Sequence, residues 1–163
     1  MRSDVMIGKK RNLGKKIEEL KIGDTYVSTY IVEDKDLLLY LGLTNDANPL
    51  YIQHDYASQT PYKQPIVPSV MLFGMISSVI SMYLPGPGSH ILRHNMVFPK
   101  PVYHQDEIKF TVEVIAIDSE KHIVTLSAIC FASNGEKVME GKLEVSPPYK
   151  PNSLTAQSLK NFF

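Results

Sequence analysis

The run Thr44-Asn45-Asp46-Ala47-Asn48-Pro49-Leu50-Tyr51 sets one carboxylate in a proline-stiffened loop, just upstream of the longest apolar stretch of the chain. Pro49 keeps Asn48 out of helical backbone, so the chain must turn there. A carboxylate fixed on a rigid turn beside a buried helix can act as a general base without first being ordered. The plainer alternative is an aspartate that only caps its own turn, as Asp and Asn routinely do. Other chemistry-bearing residues are sparse. His90 and His94 are four apart, but in a strand that spacing separates them by about 13 Å, too far to share a metal. His104 and His122 read as loop and strand-end residues. No metal site and no cofactor is expected.

The elements that must position Asp46 follow from the periodicity. Thr25 to Val32 alternates and is rich in Tyr, Val, Thr and Ile, which predicts a strand. Asp34 to Leu43 places Leu37, Leu38 and Leu41 at helical spacing behind an acidic first turn and ends near Gly42. A short helix is predicted over 53–59, then a breaker-rich loop from Thr60 to Pro65. Ser69 is a fair N-cap for a helix running through Leu84 that is apolar nearly all round, and such a helix must be surrounded. Runs at 91–98, 106–117, 122–132 and 137–145 read as strands, the last two joined by the hairpin signal Asn134-Gly135. The sum is an α+β domain: an antiparallel sheet curled around a long buried central helix.

Composition narrows the function classes. The 163 residues suit one domain, and 44% hydrophobic with 21% charged is the balance of an ordinary soluble globule. Seventeen basic and seventeen acidic side chains cancel, so no global field draws nucleic acid or a membrane surface. Lys9-Lys10-Arg11 and Lys15-Lys16 make a short basic arm, read as solvated because no aromatic residues interleave it. The single cysteine, Cys130, reads as a small buried hydrophobe. No disulfide can form within the chain, and a reducing, cytoplasmic setting is expected. The longest apolar stretch, Val70 to Leu84, falls short of a bilayer and carries three serines. The expected organisation is a basic arm over 1–22, a domain over 23–147 and a polar tail over 148–163.

Three segments bear a family likeness: Asp46-Ala47-Asn48-Pro49-Leu50, then Pro65-Ile66-Val67 with Met71-Leu72, then Leu84 to Ser89 with Phe98 to Val102 and Gln105 to Ile108. In their order and spacing the chain resembles the MaoC-like, single hot-dog-fold (R)-specific enoyl-CoA hydratases, from about Val27 to Val145. The resemblance implies that water adds across the double bond of an enoyl thioester. An Asp and a His of the loop would hold that water, and a backbone N–H at the start of the central helix would polarise the thioester carbonyl. It also implies a dimer with acyl chains entering near the subunit interface.

Carried over residue by residue, Asp46 takes the aspartate role, Asn48 shapes the loop, and Ser69 offers the backbone N–H. Two departures stand out. Tyr51 occupies the family's histidine position, and Pro68-Ser69 replaces the usual His-Gly at the helix entry. A phenol titrates near 10 and an imidazole near 6.5, so Tyr51 is a neutral donor, not a base, at pH 7. His54, one helical turn beyond Tyr51, is a candidate substitute. The expected activity is a hydratase or dehydratase of acyl-CoA or acyl-carrier-protein thioesters in a homodimer. The alternatives are a non-catalytic acyl-thioester binder, such as the inactive half of a heterodimer, and a thioesterase in which Asp46 alone directs water at the carbonyl.

Overall fold

The structure, a computed structural model, describes residues 12–151. Five strands form one antiparallel sheet: β1 (Thr25–Ile31), β2 (His90–Val97), β3 (Glu107–Asp118), β4 (Ile123–Ala132) and β5 (Lys137–Ser146). Their spatial order is β1-β3-β4-β5-β2, so the first two strands in sequence become the two edges. Everything between β1 and β2 is helical or loop: α1 (Asp34–Thr44), α2 (Pro49–Ile52), α3 (His54–Ala57) and the long α4 (Ser69–Met82). This is the hot-dog arrangement that the sequence leads one to expect.

Alternation explains which face of the sheet α4 covers. Along β3, Ile108, Phe110, Val112 and Val114 are buried, and along β4 so are Val124, Leu126, Ala128 and Cys130, while their neighbours reach solvent. Successive strand side chains point to opposite faces, so these residues line a single face. Leu72, Ile76, Val79 and Ile80 of α4 pack onto it and complete the core. Burial pushes the Cys130 thiol up to about 12, as expected of a small hydrophobe with no polar partner.

Two expectations need correcting at α4. Ser69 is not the N-cap: Pro68 occupies that place, and Ser69 is the first helical residue. Nor is the helix enclosed on every side. Val70 is 63% exposed and Ser69, Gly74 and Ser78 also face outward, because one sheet covers only one face of a helix. The short helix expected over 53–59 is the one-turn α3, and an unexpected one-turn helix, α2, precedes it across Gln53, whose backbone is extended.

The described part of the N-terminal arm does not stand free. Gly14 and Lys15 donate backbone hydrogen bonds to Pro87 and Pro85, Lys15 pairs with Asp24 at 2.9 Å, and Leu20 enters the core. Lys9, Lys10, Arg11 and most of the C-terminal tail lie outside the described residues. Of that tail, Tyr149 stacks on His122 with ring centroids 3.8 Å apart. Among the described residues no helix is long and apolar enough to cross a membrane.

Candidate active site

Asp46 is placed by the way α1 ends. The helix starts with the Asp36 carboxylate accepting the backbone N–H of Glu33 at 2.9 Å, and it stops at Asn45. Asn45 adopts φ 56, a left-handed conformation that Asn tolerates better than most residues, and its N–H still donates to Leu41. This stop folds the chain back, so the next side chain returns along the last turn of α1. There the hydroxyl of Tyr40 donates to Oδ2 of Asp46 at 2.8 Å. The other carboxylate oxygen, Oδ1, accepts the backbone N–H of Asn48 at 3.3 Å.

Asn48 shapes the next turn as expected. Its Oδ1 accepts the N–H of Leu50 at 3.0 Å and caps α2, with Pro49 at the first helical position, where a missing N–H does no harm. Tyr51 follows half-buried, its backbone N–H donating to the carbonyl of Asn48 at 2.9 Å. His54, which opens α3, is exposed. Neither reading of Asp46 excludes the other: the residue both closes its own turn and keeps lone pairs free, since a carboxylate has about four acceptor sites.

Tyr40 is the residue that sequence reasoning missed. Burial, the Asp46 carboxylate and, more weakly, Tyr51 all raise its phenol above the ordinary value of 10.0. It is therefore a neutral donor across the physiological range. The available signal was its place in the last turn of α1, directly before the Asn45-Asp46 stop. Nothing in the spacing alone shows that the chain doubles back.

The loop is tied to the amino end of α4. Ile66 N–H donates to the Leu50 carbonyl at 3.2 Å, and Val67 N–H donates to Val102 at 2.7 Å. Ser69 then begins the helix, where first-turn N–H groups lack an intrahelical partner. It opens onto a groove of about 490 Å³ shared with Phe73, His94, Asn95 and Phe98; His94 and Phe73 touch with ring centroids 4.2 Å apart. On the opposite flank of α4, an apolar cleft of about 100 Å³ lies between Met75, Val79 and Tyr83 and the Ser28–Tyr30 stretch of β1. Tyr83 stacks there on Tyr26 at 4.5 Å. Asp46 lines neither cavity in the single chain.

The model of the MaoC-like domain matches residues 16–129. The chain belongs to the MaoC-like domain family. An (R)-specific enoyl-CoA hydratase of Rhodospirillum rubrum is 33% identical over 131 residues, covering 80% of this chain and 90% of that protein. A mitochondrial 3-hydroxyacyl-[acyl-carrier-protein] dehydratase of Solanum lycopersicum is 30% identical over 131 residues, covering 79% and 78%. Among solved structures, the unliganded R-hydratase PhaJ1 of Pseudomonas aeruginosa superimposes with a TM-score of 0.77 at 27% identity, covering 87% of this chain and 94% of that one. The hot-dog architecture of this MaoC-like domain thus agrees with that of a relative named as a hydratase.

Among the described residues no group of three or more His, Cys, Asp or Glu side chains could hold a metal ion. The acid–base candidates of this MaoC-like domain are one carboxylate and two phenols, with the first-turn backbone N–H of Ser69 at the helix entry.

Proposed function

We propose that this MaoC-like domain is a hydro-lyase acting on acyl thioesters, adding water to a 2-enoyl group or removing it from the 3-hydroxyacyl product. The observation that carries this reading is the Asp46 carboxylate, held at both oxygens on the rigid turn between α1 and α2. In the hydration direction Asp46 takes a proton from water while the water oxygen bonds to C3. The C2–C3 π pair moves toward C2 and the thioester carbonyl, where the N–H of Ser69 stabilises the developing oxyanion. The proton held by Asp46 then passes to C2, which restores the carboxylate and completes the addition of one water.

Tyr51 is the second polar group of the site. Its hydroxyl donates a hydrogen bond that steadies the water, while His54 stays exposed at the start of α3. A positioned acid or base contributes about 10²–10⁴-fold, so a phenol in place of an imidazole costs about 3–5 kcal/mol of barrier where nothing compensates. The 100 Å³ cleft between β1 and α4 suits the tail of an acyl chain, its lining including the apolar side chains of Met75, Val79 and Phe110 and the ring of Tyr83.

The partner this reading calls for is a second copy of the chain, seated on the uncovered side of α4 and the groove at Ser69. A cytoplasmic setting is in keeping with the single buried thiol. Incubating the protein with short trans-2-enoyl-CoA substrates separates the alternatives. A 3-hydroxyacyl-CoA product with the thioester intact supports the hydro-lyase. Release of free CoA favours a thioesterase, and binding without turnover favours a non-catalytic binder or a subunit that needs an active partner.

A further inference from the structure

We infer that Tyr40 is a positioning residue for the reaction: its hydroxyl, 2.8 Å from Oδ2 of Asp46, aims the carboxylate at the reacting water. This inference rests on the hydro-lyase reading above. Three observations carry it.

The first is geometric. An aspartate just after a helix has two rotatable side-chain bonds, and only a partner on each oxygen can fix both. The Asn48 N–H at Oδ1 is long, 3.3 Å, and comes from the adjacent turn. The Tyr40 contact is short and reaches across the left-handed stop from a helix anchored by Leu37. With one donor on each oxygen, about two of the four acceptor sites stay open for water.

The second is the charge state of the donor. Burial comes first, followed by Asp46 and Tyr51, in keeping the Tyr40 phenol protonated. It therefore donates to Asp46 at every pH where the reaction would run. It neither competes for the proton of the water nor surrenders its own.

The third is that the contact is a poor device for stability alone. A carboxylate past the carboxyl end of a helix faces the negative pole of the helix dipole, and α1 has no basic residue in its last turn to offset it. An asparagine at 46 would close the same turn without that repulsion. A negative charge held where the fold disfavours it is more simply explained by what it does to a bound water.

Tyr40→Phe, Asp46→Asn and the double variant test this, with ¹³C-tyrosine NMR as a readout independent of turnover. The expected result is that Tyr40→Phe lowers kcat about 10–100-fold with KM within about twofold, and that the double variant is no worse than Asp46→Asn alone. In the NMR titration the Tyr40 ring carbon of Asp46→Asn should change at lower pH than in the wild type. A wild-type kcat in Tyr40→Phe overturns the inference, as does a Tyr40 titration indifferent to Asp46. A wild-type chain with no turnover on any enoyl thioester, but with Tyr40 still responding to Asp46, overturns the hydro-lyase reading and leaves the pairing of the two residues standing.

Discussion

Tyr40 and Asp46, six residues apart, meet at 2.8 Å because Asn45 between them turns the chain left-handed. The helix that supplies the phenol thus ends by delivering the carboxylate to it. The same stop leads into the Asn48–Pro49 cap of α2 and on to the Leu50–Ile66 hydrogen bond at the entry to α4. One short stretch therefore sets the proposed base, its partner and the route to the helix that would bind the carbonyl.

Asp46→Asn should separate stability from activity. The neutral amide removes a negative charge from the carboxyl end of α1, which is worth about 0.3–1 kcal/mol. Part of that gain is lost if the amide bonds Tyr40 less well. We expect a urea unfolding midpoint equal to or above that of the wild type, with hydration reduced about 10²–10⁴-fold. Marked destabilisation would make Asp46 a structural residue.

Tyr51→His should raise hydration of a short enoyl-CoA about tenfold or more, by adding a group that titrates near neutral pH to a site otherwise in place. The pH–rate profile of the variant should gain a limb near the ordinary imidazole value. An unchanged rate would mean that position 51 does not face the reacting water.

Ser78→Leu places a larger apolar side chain in the cleft between α4 and β1. Loss of room for one or two methylenes is worth about 1–3 kcal/mol in such a pocket. The kcat/KM for long enoyl chains should therefore fall about tenfold or more, while a four-carbon substrate is little affected. Equal losses at every chain length would place the acyl tail elsewhere.

Alkaline pH should destabilise the fold through groups that it keeps neutral. Cys130 ionises near its ordinary value of 9.0 in the unfolded chain but only near about 12 when folded. Its contribution is complete below about 9 and is lost as pH rises toward 12. Burial, with help from the Asp36 carboxylate, raises Tyr30 from 10.0 to about 12, so it adds to the loss from about 10 upward. Unfolding midpoints should be level to about pH 9 and then decline, and Cys130→Ala should weaken the first part of that decline. An identical slope in the variant would remove Cys130 from the explanation.

Much of the fold was legible because its signals are local. The alternation of Ile108, Phe110, Val112 and Val114 already assigns the buried face of β3, and Asn134-Gly135 marks the β4–β5 turn, where Gly135 has φ 84. The turn that carries Asp46 and Asn48 was legible for the same reason, since Pro49 constrains the residue before it. What stayed hidden depends on tertiary placement. Tyr40 reads as an ordinary aromatic side chain of α1 until the left-handed Asn45 brings Asp46 back to it. The exposure of Val70 and Ser78 was masked by composition, because an all-apolar helix looks enclosed even when a single sheet covers one face.

The most direct test is steady-state hydration of crotonyl-CoA by the purified chain and by Asp46→Ala, followed as loss of the enoyl thioester absorbance. The wild type should turn over, and the variant should lose about 10²–10⁴-fold in kcat/KM while keeping its fold. Equal rates in the two proteins, or no hydration by either, would contradict the role given to Asp46.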